Sequence, residues 1–118
     1  MNKNEQKVVN ESTQIKVDLN TKVDLRIDVD GAVTEIKPKD ERGYYLKEMY
    51  EMCDTNIVEF VYLPENKILG VDEEGALKEG RKINWDATKL VAPIILAQGG
   101  NPFFIFGNVM LIDQKNVE

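Results

Sequence analysis

The first part of the chain contains two runs in which apolar and polar residues alternate. One covers residues 15–19 and the other residues 23–29, with polar residues 20–22 between them. Strict alternation is typical of strands that bury one face. We therefore predict two β-strands here, the first of them beginning near Gln14.

The dipeptide Asp30-Gly31 follows the second run and predicts a hairpin. A two-residue type I′ turn needs positive φ at both positions, and Asp-Gly adopts such values at low cost. The register that results places opposite charges together on one face of the hairpin and apolar side chains together on the other. Its pairs are Val29 with Ala32, Arg26 with Glu35, Asp24 with Lys37 and Leu25 with Ile36.

Two later stretches have the apolar spacing of amphipathic helices. In the first, the core-facing residues are Leu46, Met49, Tyr50 and Cys53, with Lys47, Glu48 and Glu51 outside. The second follows Asn84, a favourable N-cap, and ends at Gly99-Gly100. Its expected core residues are Leu90, Val91, Ile94 and Ile95. Pro93 cannot donate a backbone hydrogen bond, so the helix stops before it, kinks or accommodates the loss.

Three further strands complete the prediction. Residues 56–63 are apolar on both faces, which favours a central strand, and residues 67–71 return as its partner after a turn at Pro64. Residues 103–112 are nearly all apolar, and adjacent strand residues such as Phe103 and Phe104 point to opposite faces. We therefore expect helices on both faces or self-association. The predicted fold class is α+β, a mostly antiparallel sheet packed by two helices.

Composition indicates one globular domain. The chain has 118 residues, of which 42% are hydrophobic and 31% charged. We assign the domain to residues 14–118 and predict that polar residues 1–13 form a mobile arm. No apolar run approaches the roughly 18 residues of a membrane-spanning helix, and the N-terminus lacks the apolar centre of a signal peptide. We expect a cytoplasmic protein without a membrane partner.

Charge and residue types exclude several classes of chemistry. A net charge of −6 argues against broad nucleic-acid binding, which needs a basic face. With no histidine and a single cysteine, Cys53, the chain has neither a zinc ligand set nor the commonest general base. The acidic turn Asp72-Glu73-Glu74, with Glu79 nearby, is a candidate cation site, but a solvated turn explains it better. We expect no metal, no cofactor and no catalytic residues.

Two sets of residues are candidates for binding. Basic side chains before the second helix, close to its partially positive N-terminus, predict a site for a phosphate-bearing small molecule, with a flexible charged loop as the alternative. That set is Lys78, Arg81, Lys82, Asn84 and Trp85. Aromatic residues of the kind that anchor interfaces form the second set, for a protein partner or another copy of the chain. That set is Tyr44, Tyr45, Phe103 and Phe104.

From about Asp30 onward the chain resembles a family of short proteins of unknown function carried by bacteriophages and other mobile elements. The matching features occur in the family's order. They are Asp30-Gly31 with residues 33–36, the helix around Leu46 and Met49, the strand 57–63, the turn Asp72-Glu73-Glu74-Gly75, Asn84 with Ala87-Thr88, and the strand containing Gly107-Asn108. The resemblance implies a mobile-element origin, and no catalytic residues carry over from it.

Together these features predict a non-catalytic phage protein that binds and inhibits a host factor in the host cytoplasm, such as a factor of antiviral defence. The alternative is a small-molecule binder that sequesters a nucleotide-like signal. The apolar last strand favours a homo-oligomer over a monomer. An enzyme that uses the carboxylates of the acidic turn ranks lowest.

Overall fold

Five strands and two helices make up the fold in the computed structural model, which describes residues 17–117. The strands are β1 (Asp24–Ile27), β2 (Val33–Ile36), β3 (Val58–Leu63), β4 (Lys67–Asp72) and β5 (Val109–Asp113), and the helices are α1 (Leu46–Cys53) and α2 (Trp85–Ala97). Short 3₁₀ helices cover Gly75–Leu77 and Gln114–Asn116. The predicted α+β class is confirmed.

All strand pairs are antiparallel, and the sheet order is β2-β1-β5-β4-β3. The last strand along the chain, β5, therefore lies at the centre and is buried from Val109 to Ile112. Since alternate residues of a strand point to opposite faces, its apolar run covers both sides of the sheet.

One helix packs on each face of the sheet. Apolar residues of α2 and of alternate strand positions form one core, which comprises Leu25, Ile27, Leu63, Leu69, Val71, Ala87, Val91, Ile105, Val109 and Leu111. Residues of α1 and of the remaining strand positions form the other, which comprises Tyr44, Met49, Cys53, Ile68, Met110 and Ile112. The expectation of a helix layer on both faces is confirmed.

The hairpin β1–β2 forms, but the predicted register is wrong by one residue. Arg26 faces Thr34, and Asp28 faces Ala32, whose carbonyl accepts a hydrogen bond from the Asp28 N–H at 2.9 Å. Of the residues that link β1 to β2, Gly31 alone has positive φ, +94°. The loop therefore has three residues, a type I turn followed by a left-handed glycine. The predicted cross-strand charge pairs therefore do not form, and Arg26 instead pairs with Asp28 of its own chain segment at 2.7 Å.

Three strand predictions need further correction. Residues 14–16 lie outside the described part of the chain, and residues 17–22 form turns in which Val17 and Leu19 pack on the core without joining the sheet. The predicted central strand, β3, is an edge strand. Residues 103–108 precede the last strand as irregular chain because Gly107 adopts a left-handed φ of +80°.

The helices begin and end close to the predicted positions. Asn84 caps α2 by accepting a hydrogen bond from the Ala87 N–H, and the helix continues through Pro93 to Ala97.

In α1 the predicted faces are partly wrong, because Leu46 is 52% exposed whereas Glu48 is buried. Glu48 turns inward because its carboxylate accepts a hydrogen bond from the Tyr45 N–H at 3.0 Å, which satisfies a free donor at the helix start.

We predict that Gly43→Ala destabilises the fold strongly. Gly43 has φ +94°, and a Cβ there would lie 2.2 Å from the Asn116 carbonyl oxygen, which also accepts the Tyr44 N–H. We expect a loss of about 3 kcal/mol or more in the free energy of unfolding, measured by urea denaturation. The control is Gly80→Ala, where φ is also positive but no atom lies within 4 Å of the new Cβ. Its expected cost is about 1–2 kcal/mol, and equal losses in both variants would contradict the predicted clash.

Candidate functional site

The basic loop before α2 is tied to a buried carboxylate. The Asp72 side chain, fully buried at the end of β4, pairs with Arg81 at 2.8 Å and with Lys78 at 2.9 Å. Thr55 donates its hydroxyl to the other carboxylate oxygen at 2.6 Å, and the Glu74 N–H donates to the same oxygen at 3.0 Å. The two most promising cations of the predicted phosphate site are thus engaged within the protein.

Arg81 also links the loop to the end of α1. Its guanidinium donates hydrogen bonds to the carbonyl of Asp54 and, at 3.5 Å, to that of Cys53. A Cβ on Gly107 would lie 2.9 Å from this guanidinium. A larger residue at position 107 would collide with the Arg81 side chain, which explains why a glycine lies just before β5.

The environment of Asp72 favours its charged form. Burial of the carboxyl opposes ionisation, but the hydrogen bonds from Thr55, Lys78 and the Glu74 N–H, with the charge of Lys78, outweigh it and lower the pKa of Asp72. A buried carboxylate with two cations and two hydrogen-bond donors is stable as an internal structural link.

The five predicted ligand-binding residues do not form one pocket. Asn84 is fully buried, where its amide donates hydrogen bonds to the carbonyls of Ile27 and Gly107 at 2.9 Å each. Lys82 is exposed. Trp85 is 51% exposed and belongs to a different surface, described below. The structure therefore does not bring these side chains together around an anion.

The acidic turn does not gather its carboxylates either. Asp72 points inward to its cations, whereas Glu73 and Glu74 are exposed. Within residues 17–117, no group of three or more histidine, cysteine, aspartate or glutamate side chains is placed to hold a metal ion.

Cys53 lies in the core, as its position on α1 predicts. It is fully buried, and its thiol donates a hydrogen bond to the Gly70 carbonyl at 3.4 Å. Burial, followed by the nearby Asp72 carboxylate, raises the pKa of the thiol to about 12. The thiolate needed for nucleophilic chemistry is therefore scarce at neutral pH.

Two of the predicted interface residues are not surface anchors. Tyr44 is fully buried and donates its hydroxyl to Asp24 at 2.8 Å, an arrangement in which burial and the carboxylate raise the pKa of the tyrosine. Tyr45 is half-buried, and its hydroxyl donates to Asp40, which lowers the pKa of that carboxyl. Both tyrosines hold the segment before α1 in place.

The other two predicted interface residues form an exposed aromatic surface with Trp85. Phe103 is 44% exposed and Phe104 57% exposed. The rings of Trp85 and Phe104 meet edge to face with centroids 5.8 Å apart. We call Trp85, Phe103 and Phe104 the aromatic surface. It lies on the α2 side of the sheet, where the irregular chain 103–106 crosses toward β5.

A groove of about 220 Å³ adjoins the aromatic surface. Its apolar lining comes from the edge strand β3, from β4, from the 3₁₀ helix and from the irregular chain, and includes Val61, Val71, Ala76, Phe103, Phe104 and Phe106. Glu59 and Glu73 add exposed carboxylates to the same lining. The groove therefore combines aromatic contact area with negative charge.

Comparison with protein-family models, curated proteins and solved structures finds no match to this chain. Among residues 17–117, no helix has both the length and the apolar character needed to cross a membrane.

Sequence reasoning found part of this surface and missed the groove. The sequence predicts Phe103 and Phe104 as interface residues, and Trp85 as part of the phosphate site. Glu59 and Val61 went unnoticed because the strand that carries them appeared to be central. The charged Glu59 within residues 58–63 was the available sign of an exposed edge.

We predict that Asp72→Asn lowers stability and changes its pH dependence. The substitution removes the buried counterion of Lys78 and leaves Arg81 only the exposed Asp54 carboxylate at 3.6 Å. We expect a loss of about 2–3 kcal/mol in the free energy of unfolding at pH 7. Because the pKa of Asp72 is lower in the folded state than the unfolded value of about 3.9, its stabilisation is present above that value. It is lost as pH falls through the folded pKa.

Urea denaturation of wild type and Asp72→Asn from pH 7 down to pH 2 measures this effect. The difference between the two proteins should shrink as the wild-type carboxylate becomes protonated. Glu73→Gln is the matched control, since this exposed neighbour should change stability by less than about 0.5 kcal/mol. A stability difference that is constant with pH would contradict the assignment.

We also predict that Cys53 resists alkylation in the native protein. Burial and its raised pKa both protect the thiol, so iodoacetamide at pH 7.5 should leave it unmodified for hours while modifying it within minutes in 8 M urea, as mass spectrometry can show. Rapid modification of the folded protein would contradict the buried, neutral thiol.

Proposed function

We propose that this protein is a non-catalytic binding protein that captures and inhibits a host protein through its aromatic surface. The observation that carries the proposal is the exposed cluster of Trp85, Phe103 and Phe104 beside an apolar groove. Large aromatic side chains contribute much of the binding energy of protein interfaces once a partner buries them. The mobile-element origin, with a factor of antiviral defence as the target, rests on the family resemblance alone.

The internal engagement of the reactive groups supports a binding role. Lys78 and Arg81 both pair with the Asp72 carboxylate, and Cys53 is buried with a raised pKa. In the described part of the chain, the exposed aromatic residues and the carboxylates beside them are therefore the features best suited to bind a partner.

The groove indicates the chemistry of the partner. Exposed carboxylates of Glu59 and Glu73 lie in an apolar lining, and the whole chain carries a net charge of −6. A complementary partner offers an apolar segment flanked by lysine or arginine, because opposite charges steer association and suppress wrong partners. An acidic partner or nucleic acid would be repelled.

Sequestration of a nucleotide is less well supported. It depended on Lys78, Arg81 and Lys82 acting together near the start of α2, and two of these cations pair with Asp72. Lys82 alone does not make a phosphate site. A bound nucleotide therefore becomes an outcome that would refute the proposal.

We predict that Phe103→Ala combined with Phe104→Ala weakens binding to the captured host protein about 1,000-fold, because each aromatic anchor contributes about 2 kcal/mol at such a site and about 1.4 kcal/mol is tenfold in affinity. Wild-type protein first identifies the partner by capture from a lysate of its bacterial host. Calorimetry with the purified partner then gives the dissociation constants of wild type and variant. Leu46→Ala is the control, since Leu46 is equally exposed on α1 at the opposite face of the sheet.

Charge provides a second readout on the same complex. Glu59→Gln with Glu73→Gln should slow association and reduce its dependence on salt, with little change in thermal stability. Equal affinity of the phenylalanine variant and wild type would refute the proposed surface. So would a nucleotide recovered from the purified protein in place of a protein partner.

A further inference from the structure

The outer edge of β3 is free in the part of the chain that the structure describes. β3 pairs with β4 on one side only, and no backbone hydrogen bond from another segment of residues 17–117 reaches its other side. Ile57, just before this strand, is 40% exposed, and Tyr62, within it, is 62% exposed. An open edge with apolar side chains is a template for another strand.

The direction of the unpaired groups follows from the β3–β4 ladder. The Glu73 N–H donates to the Ile57 carbonyl at 3.0 Å, so the polar groups of Ile57 face β4. In an antiparallel pair these groups alternate between the two sides of the strand. The N–H and C=O groups of Val58, Phe60 and Tyr62 therefore point away from the sheet.

This edge lacks the features that prevent strand addition. Residues 58–63 contain no lysine and no proline, and Glu59 is their only charged residue. The opposite edge strand, β2, has only four residues, against six in β3. Short or charged edges resist pairing, whereas β3 is long and largely apolar.

We propose that β3 pairs antiparallel with β3 of a second copy of this chain, about a two-fold axis at Phe60. In this register Phe60 faces Phe60 of the second copy, and Val58 faces Tyr62. Every outward N–H and C=O of these residues is then paired. A shift by two residues in either direction leaves some of these groups without a partner, so this register forms the most hydrogen bonds.

The side chains fit the same register. Phe60 packs on its own symmetry mate, and Tyr62 covers Val58 of the second copy, two kinds of cross-strand pair that stabilise sheets. Glu59 faces Val61, so the two Glu59 carboxylates are not opposite each other. The exposed ring of Tyr62 becomes covered. The edge is thus complementary to itself, which is what a two-fold interface requires.

The pairing is closed, since each copy offers one β3 edge and both are used. Pairing of β3 with β2 of another copy would instead leave free edges and continue into fibres. The contact is small compared with a standard interface of about 800 Å² per partner, so the dimer should be reversible and depend on protein concentration. It does not require the proposed host partner, although Glu59 and Val61 belong to both the groove and the paired edge, and it is tested on purified protein alone.

Analytical ultracentrifugation of the full chain from about 1 to 500 µM, a range that spans micromolar affinity, tests the association. Wild type should shift from monomer to dimer over this range. Tyr62→Pro removes an outward N–H on each side of the axis without disturbing the β3–β4 ladder, and should weaken the dimer roughly 10- to 100-fold. Tyr62→Thr keeps the N–H and strand propensity and is the control, with a smaller effect. Circular dichroism and thermal unfolding confirm that both variants fold.

Disulfide cross-linking tests the register in the otherwise unchanged protein. Directly opposite residues that exchange hydrogen bonds have Cα atoms about 5.5 Å apart, within the roughly 4.4–6.8 Å that a disulfide spans. Phe60→Cys should therefore form a cross-linked dimer on mild oxidation. Glu59→Cys should not, because Glu59 does not face its own symmetry mate. Buried Cys53 leaves wild type uncross-linked.

Three outcomes would overturn the proposal. Wild type that stays monomeric throughout the concentration range excludes the dimer. A dimer whose affinity Tyr62→Pro leaves unchanged uses another surface. Cross-linking through Glu59→Cys in place of Phe60→Cys excludes the register.

Discussion

The carboxylate of Asp72 is the interaction on which the arrangement of this fold most depends. It lies at the end of β4, and its partners come from three other places: Thr55 after α1, the Glu74 N–H in the following turn, and the cations of the loop before α2. One buried charge thus fixes the end of a helix and a long loop against the sheet. Removing these partners would leave the Asp72 carboxylate buried and unpaired, which costs more than the net value of the ion pair itself.

The same interaction explains why Lys78 and Arg81 of this basic loop are not gathered around a site for an external anion. Basic side chains in a loop can bind an external anion only if they are not already paired with a buried carboxylate of the protein itself. Asp72 stands close to these cations in sequence, nine residues before Arg81, so opposite charges in neighbouring loops were the sign that they pair with each other. Gly107 completes the arrangement by leaving room for the guanidinium.

Much of the fold could be predicted from local patterns. The two helices, the Asn84 cap and the β3–β4 pair are confirmed because each depends on nearby residues. The predicted hairpin register was wrong because Asp-Gly suits both a two-residue turn and a three-residue loop. A difference of one residue in the loop changes every cross-strand pair. The predicted central position of β3 in the sheet was wrong as well. An apolar strand is equally compatible with the centre of a sheet and with an edge that irregular chain partly covers.

The candidate site was predictable only in part, since Phe103 and Phe104 could be recognised but their neighbours could not. The groove combines segments far apart in the chain, and nothing local brings Val61 near Phe106. A two-fold axis through β3 would lie perpendicular to the joined sheet, so both aromatic surfaces would face the same way. If the target carries two copies of the recognised segment, the dimer can bind both. Once the first segment is bound, binding of the second is intramolecular, and its effective concentration can reach the millimolar range. The dimer would then hold repeated or oligomeric targets far more tightly than a single groove holds one segment.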